Sequence, residues 1–160
     1  MDAKTRALFV GNVFARGSVI AYHDNSPYDV AIRLGEDGYF SHVAVALGNG
    51  KAICAEFARG VVDDFADFQQ LQDVEARMFP GDVERLIHDL TAQIGKPYDF
   101  PVGLFAAIAW RWFGWRINAG PPKTFDCSSL IGWAWSLQGR SWPKSLRSLT
   151  PQDIWNALDP

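Results

Sequence analysis

The chain has 160 residues, 48% of them apolar, with 15 Lys and Arg against 18 Asp and Glu, a formal charge of -3 and a pI near 5.5. This length suits one domain, residues 1–160, with a real core, and the interspersed, slightly acidic charge gives none of the basic stripes that nucleic-acid binding needs. Two cysteines are too few for a disulfide framework, and scattered histidines with no CxxC or HxxxH pair supply no metal-ligand spacing, so neither a metal nor another cofactor is expected.

The first sixteen residues hold only the brief apolar stretch Ala7 to Val10 and make a poor signal peptide. That predicts cytoplasmic synthesis, with delivery by a phage or secretion route left open. Gly17 to Tyr22 reads as a short strand entered from a turn, and His23-Asp24-Asn25-Ser26-Pro27 breaks it with turn formers. His23 is accordingly expected to be a solvated loop histidine. A short helix is predicted over Asp29 to Leu34, closed by Gly35. The clearest hairpin follows, with strands Ser41 to Leu47 and Lys51 to Glu56 around Gly48-Asn49-Gly50, residues that tolerate the positive dihedrals of a tight loop.

Side chains alternate across a strand, so His42, Ala44 and Ala46 share one face and Val43, Val45 and Leu47 the other. In the returning strand Ala52, Cys54 and Glu56 share a face. If the bulky faces pack on the core together, His42, Cys54 and Glu56 lie on the opposite, less bulky side. Gly60 to Phe65 continues the sheet, and Asp73 to Phe79 alternates like another strand before Pro80-Gly81. From Asp82 to Ile94, Val83, Leu86, Ile87, Leu90 and Ile94 recur at spacings of three and four, an amphipathic helix with His88 on its solvated side.

Val102 to Ile117 is a helix candidate crowded with Trp110, Trp112, Phe113 and Trp115 around Arg111 and Arg116. Its apolar run falls well short of the roughly 20 residues a membrane span requires, and its aromatic crowding suits a core helix or peripheral contact with a membrane surface. After the loop Asn118 to Thr124, Phe125-Asp126-Cys127-Ser128-Ser129 opens the apolar run Leu130 to Leu137, a helix that Gly139 ends. A cysteine at a helix start sits near unpaired N–H groups and the positive end of the helix dipole, which favour thiolate. Cys127 is therefore a candidate nucleophile, with a small buried thiol as the alternative. Thr150-Pro151 then caps a final short helix that packs through Ile154, Trp155 and Leu158. The fold class is α+β.

Taken together, three stretches carry a family resemblance. Asp126-Cys127-Ser128-Ser129-Leu130-Ile131 resembles the nucleophile motif of NlpC-type papain-like cysteine peptidases. Ser41 to Gly50 resembles their histidine strand and turn, and Gly95-Lys96-Pro97-Tyr98 their tyrosine segment. His42 precedes Cys127, the reverse of the usual family order, so the match is to the circularly permuted branch that includes YiiX-like proteins and the lecithin:retinol acyltransferase-like group. Gly17 to Ile20, Gly60-Val61 and Thr150 to Asp153 also look YiiX-like.

The resemblance implies a papain-like fold, with the nucleophile helix packed on a small antiparallel sheet that bears the base. It implies that Cys127 attacks an acyl carbon, that His42 holds the proton, and that the Cys127 N–H and Tyr98 hydroxyl meet the oxyanion. The family's histidine-orienting residue falls on Cys54, a weak hydrogen-bond partner. Glu56, of the same strand parity, is the favoured third residue, and a backbone carbonyl or water is the remaining alternative. The implied substrate is an amide in bacterial cell-wall peptide. A lipid acyl group is the second expectation, which the aromatic insertion would suit, and a binding module without turnover the third.

Overall fold

The structure, a computed structural model, describes residues 14–23, 38–65, 72–99 and 124–159 together with Val30 and Arg33. Strands β1 (Ser18–His23), β2 (His42–Gly48), β3 (Lys51–Glu56), β4 (Gly60–Phe65) and β5 (Gln72–Met78) precede helices α1 (Val83–Thr91), α2 (Cys127–Ser136) and α3 (Pro151–Ala157). The strands form one antiparallel sheet in the order β4-β3-β2-β1-β5. The chain is thus α+β, as its sequence predicts. Val30 and Arg33 are helical, in keeping with the short helix predicted there. The rest of that segment and the aromatic stretch 102–117 lie outside the described residues.

The β2–β3 hairpin follows from its turn. Gly48, Asn49 and Gly50 hold φ of 85, 53 and 79 degrees, the left-handed region that bulkier residues avoid. Its register pairs Val45 with Ile53 and Ala46 with Ala52.

Strand alternation divides the apolar residues as the sequence indicates. Val19, Ala21, Val43, Val45, Ile53, Ala55 and Val61 join the main core, which the helices complete with Leu86, Leu90, Leu130, Ile131 and Ile154. Each such Val, Leu or Ile contributes on the order of 1.5–3 kcal/mol when fully buried. Ile20 and the small residues Ala44, Ala46, Ala52 and Cys54 form a second cluster on the other face.

Helix α2 lies on β2 and β3 and is flanked by α1 and α3. Gly132 permits its close approach to the chain after it, since a side chain there would run into Leu149. Helix α1 starts at Asp82, whose carboxylate accepts the Arg85 N–H at 3.0 Å, and buries Leu86, Ile87 and Leu90. It stops at Thr91, short of the predicted Ile94, because Gly95 N–H bonds the Val61 carbonyl at 2.9 Å and draws the chain to β4. At α3, Thr150 and Asp153 form a capping box and Pro151 takes the first helical position. Ile154, Trp155 and Leu158 are buried as expected. No helix among the described residues is long and apolar enough to cross a membrane.

Candidate active site

Cys127 begins α2 because Asp126 terminates the extended segment before it. The Asp126 carboxylate accepts the Ser129 N–H at 2.6 Å and the Ser128 hydroxyl at 3.1 Å, while Ser129 Oγ accepts the Asp126 N–H at 2.9 Å. Burial pushes the Asp126 carboxyl above its ordinary value and the charge of Asp99 adds to this, opposed by the Ser129 and Ser128 hydrogen bonds. Cys127 is itself only 5% exposed.

Two chains of contacts carry the start of α2 to the sheet end where β1 and β3 finish and β2, β4 and β5 begin. Along the first, Tyr98 forms a parallel bridge with Phe125, two residues before Cys127, with Asp99 N–H to Phe125 O at 3.1 Å and Phe125 N–H to Pro97 O at 3.3 Å. The Tyr98 loop is tied in turn to β4 by Val61 N–H to Lys96 O at 2.8 Å. Gly60 makes this approach possible, because a Cβ there would strike the Lys96 carbonyl. Tyr98 also meets Phe57, just past β3, edge-on at 6.2 Å between centroids.

Along the second, Ser128 Oγ donates to the Leu149 carbonyl at 2.8 Å. The α3 segment that follows holds the chain leading into β2, through Tyr39 N–H to Gln152 Oε1 at 3.0 Å and the rings of Phe40 and Trp155 at 5.0 Å. His42 is the next residue but one after Phe40 and the first of β2. Ser41 N–H bonds the Tyr22 carbonyl at 3.2 Å, and the Tyr22 and His42 rings lie 4.9 Å apart.

The structure therefore brings Cys127, Tyr98 and His42 to one end of the sheet. Strand alternation aims His42 toward the face of Ala44, Ala46 and Cys54, whereas Cys127 packs with the main core on the other. Cys127 is nevertheless close enough to Cys54, on the His42 face, to help raise that thiol's pKa.

The two candidates for the third position engage one another. Cys54 Sγ donates to Glu56 Oε1 at 3.4 Å, and the other Glu56 oxygen accepts Arg59 at 2.8 Å. Burial pushes the Cys54 thiol well above its ordinary value, reinforced by the Glu56 charge and hydrogen bond and by Cys127. Cys54 is thus a protonated donor, and Glu56 is a carboxylate already held by a thiol and a guanidinium. Counting on from Val45 and Ile53 in the same register, Glu56 falls opposite His42.

His23 corrects the sequence reading. It is the last residue of β1 and only 4% exposed, not a solvated loop histidine. Its Nε2 lies 3.2 Å from Asp73 Oδ2, Tyr39 donates to the same carboxylate oxygen, and Nδ1 is buried without a hydrogen-bond partner. Its parity with Val19 and Ala21 was the available signal, outweighed by the turn formers after it. His88 is exposed on α1, as expected. Trp110, Trp112, Phe113 and Trp115 lie outside the described residues. Among the described residues no group of three His, Cys, Asp or Glu is arranged to hold a metal ion.

Compared with protein-family models and with curated proteins, the chain matches none.

Proposed function

We propose that this chain is a cysteine-dependent hydrolase with a circularly permuted papain-like fold, cleaving an amide through a thioester intermediate. The observation that carries the reading is the convergence of the capped Cys127, the bridged Tyr98 and the strand-end His42 at one edge of the sheet. The order of the motifs along the chain supports it independently.

In this mechanism Cys127 Sγ bonds to the carbonyl carbon while His42 holds the thiol proton. Negative charge on the carbonyl oxygen meets the Cys127 N–H and the Tyr98 hydroxyl. The carbon–nitrogen bond breaks, His42 passes its proton to the leaving amine, and water then attacks the thioester to release the acid and regenerate the thiol. Glu56 orients the imidazole from β3.

The resemblance favours cell-wall peptide as substrate, reached after cytoplasmic synthesis by a phage or secretion route. A second reading, a lipid acyl hydrolase or acyltransferase on the same residues, is favoured by Phe57. This ring is 53% exposed and lies against Tyr98, which offers an apolar lip beside the nucleophile helix.

Incubation with purified peptidoglycan and, separately, with phospholipid vesicles distinguishes the readings. New amino groups from the wall material are expected, lost in Cys127→Ala; free fatty acid supports the lipid reading instead. Release of neither, with binding retained, would replace hydrolysis by a binding role.

A further inference from the structure

Tyr22 and His42 are direct partners between β1 and β2, and their rings lie 4.9 Å apart at an interplanar angle of 56°. Directly opposed residues share a sheet face with Cβ atoms about 4.5–5.5 Å apart, so register sets this contact. That register is pinned on either side. Ser41 bonds the Tyr22 carbonyl through both its N–H, at 3.2 Å, and its hydroxyl, at 3.4 Å, while Ala21 and His23 are 0% and 4% exposed.

A cation over the face of an aromatic ring, within about 6 Å of its centroid, is attracted by the ring quadrupole more than the neutral form is. We infer that Tyr22 is a positioning residue for His42, its ring fixing the imidazole at the strand end and favouring the protonated form. The catalytic meaning rests on the proposed hydrolase, because a thiolate–imidazolium pair needs a charged imidazole, but the physical claim concerns His42 alone.

The groups that bear on His42 come from three elements. Tyr22 lies beside it on β1. Continuing the Val45–Ile53 register puts Glu56 opposite it on β3, with Arg59 and the Cys54 thiol drawing on the Glu56 carboxylate. Helix α2 brings Cys127 to the same end. A carboxylate facing an imidazole favours its charged form, and Tyr22 stands on the neighbouring strand at the other side of His42.

NMR titration of the histidine ring protons in the full chain tests this. Tyr22→Leu is expected to lower the His42 midpoint by about half a pH unit, the size of a partly exposed cation–π contact. Tyr22→Phe should restore most of the shift, and His88 on α1 should not move in either variant. Equal His42 midpoints in all three proteins would overturn the inference. Should Tyr22→Leu fail to fold, the wild type alone decides: cross-relaxation between the Tyr22 and His42 ring protons is expected, and its absence overturns the contact. A shifted midpoint in a protein that hydrolyses no substrate would leave the positioning intact and remove the hydrolase reading.

Discussion

Asp126 performs two tasks that pull against each other, and substitution separates them. Its carboxylate caps α2, yet burial raises its pKa, so the folded state disfavours the ionised form. A raised carboxyl contributes stability that is fully present below its unfolded pKa and lost as pH rises through the folded one. Asp126→Ala should cost about 1–2 kcal/mol at neutral pH through the lost cap. Asp126→Asn keeps a capping oxygen without the buried charge and should match or exceed the wild type. Urea unfolding of the three proteins at neutral pH checks this ordering. The position was legible because Asp-Cys-Ser-Ser follows a Gly- and Pro-rich stretch and opens an apolar run. His23 was misread because Asp24 to Pro27 beside it read as a turn and outweighed its parity with Val19 and Ala21, and the Asp73 that binds it lies 50 residues away.

The elements were legible where local chemistry decides them and obscure where tertiary contacts do. The Gly-Asn-Gly hairpin, the amphipathic start of α1 and the Thr150-Pro151 cap all follow from neighbouring residues. The end of α1 does not: Ile94 has helical spacing, yet it is 41% exposed because Gly95 turns toward Val61. Nor could the Tyr98–Phe125 bridge be read from sequence, since it depends on the 95–98 loop being held against β4 by Val61 N–H to Lys96 O and Gly95 N–H to Val61 O.

A pair of glycines tests that capture. Both hold positive φ, 77° at Gly60 and 86° at Gly95, but only Gly60 lies against a backbone carbonyl, and Gly95 has nothing within 4 Å of an added Cβ. Gly95→Ala should cost about 1 kcal/mol for its backbone conformation alone. Gly60→Ala should cost distinctly more, about 2–4 kcal/mol, because strand and loop must also separate. Chemical denaturation measures the difference, and equal losses would mean that the contact with Lys96 does not hold the loop.

Across the whole molecule, the sheet sets what can meet. Its bulky face takes the helices and brings Cys127 in, while Cys54 lies in the smaller cluster on the other face, where Glu56 accepts its thiol hydrogen bond. The motif order named a nucleophile and a base, but only three-dimensional topology brings them to one edge. The central claim is that this edge activates Cys127. The most direct measurement is the alkylation rate of each cysteine by iodoacetamide against pH, resolved by peptide mapping, in the wild type and His42→Ala. Cys127 should react with a midpoint well below the roughly 8.5 of a free thiol, and His42→Ala should move that midpoint up, while Cys54 stays unmodified near neutrality. Identical Cys127 profiles in the two proteins would contradict the account.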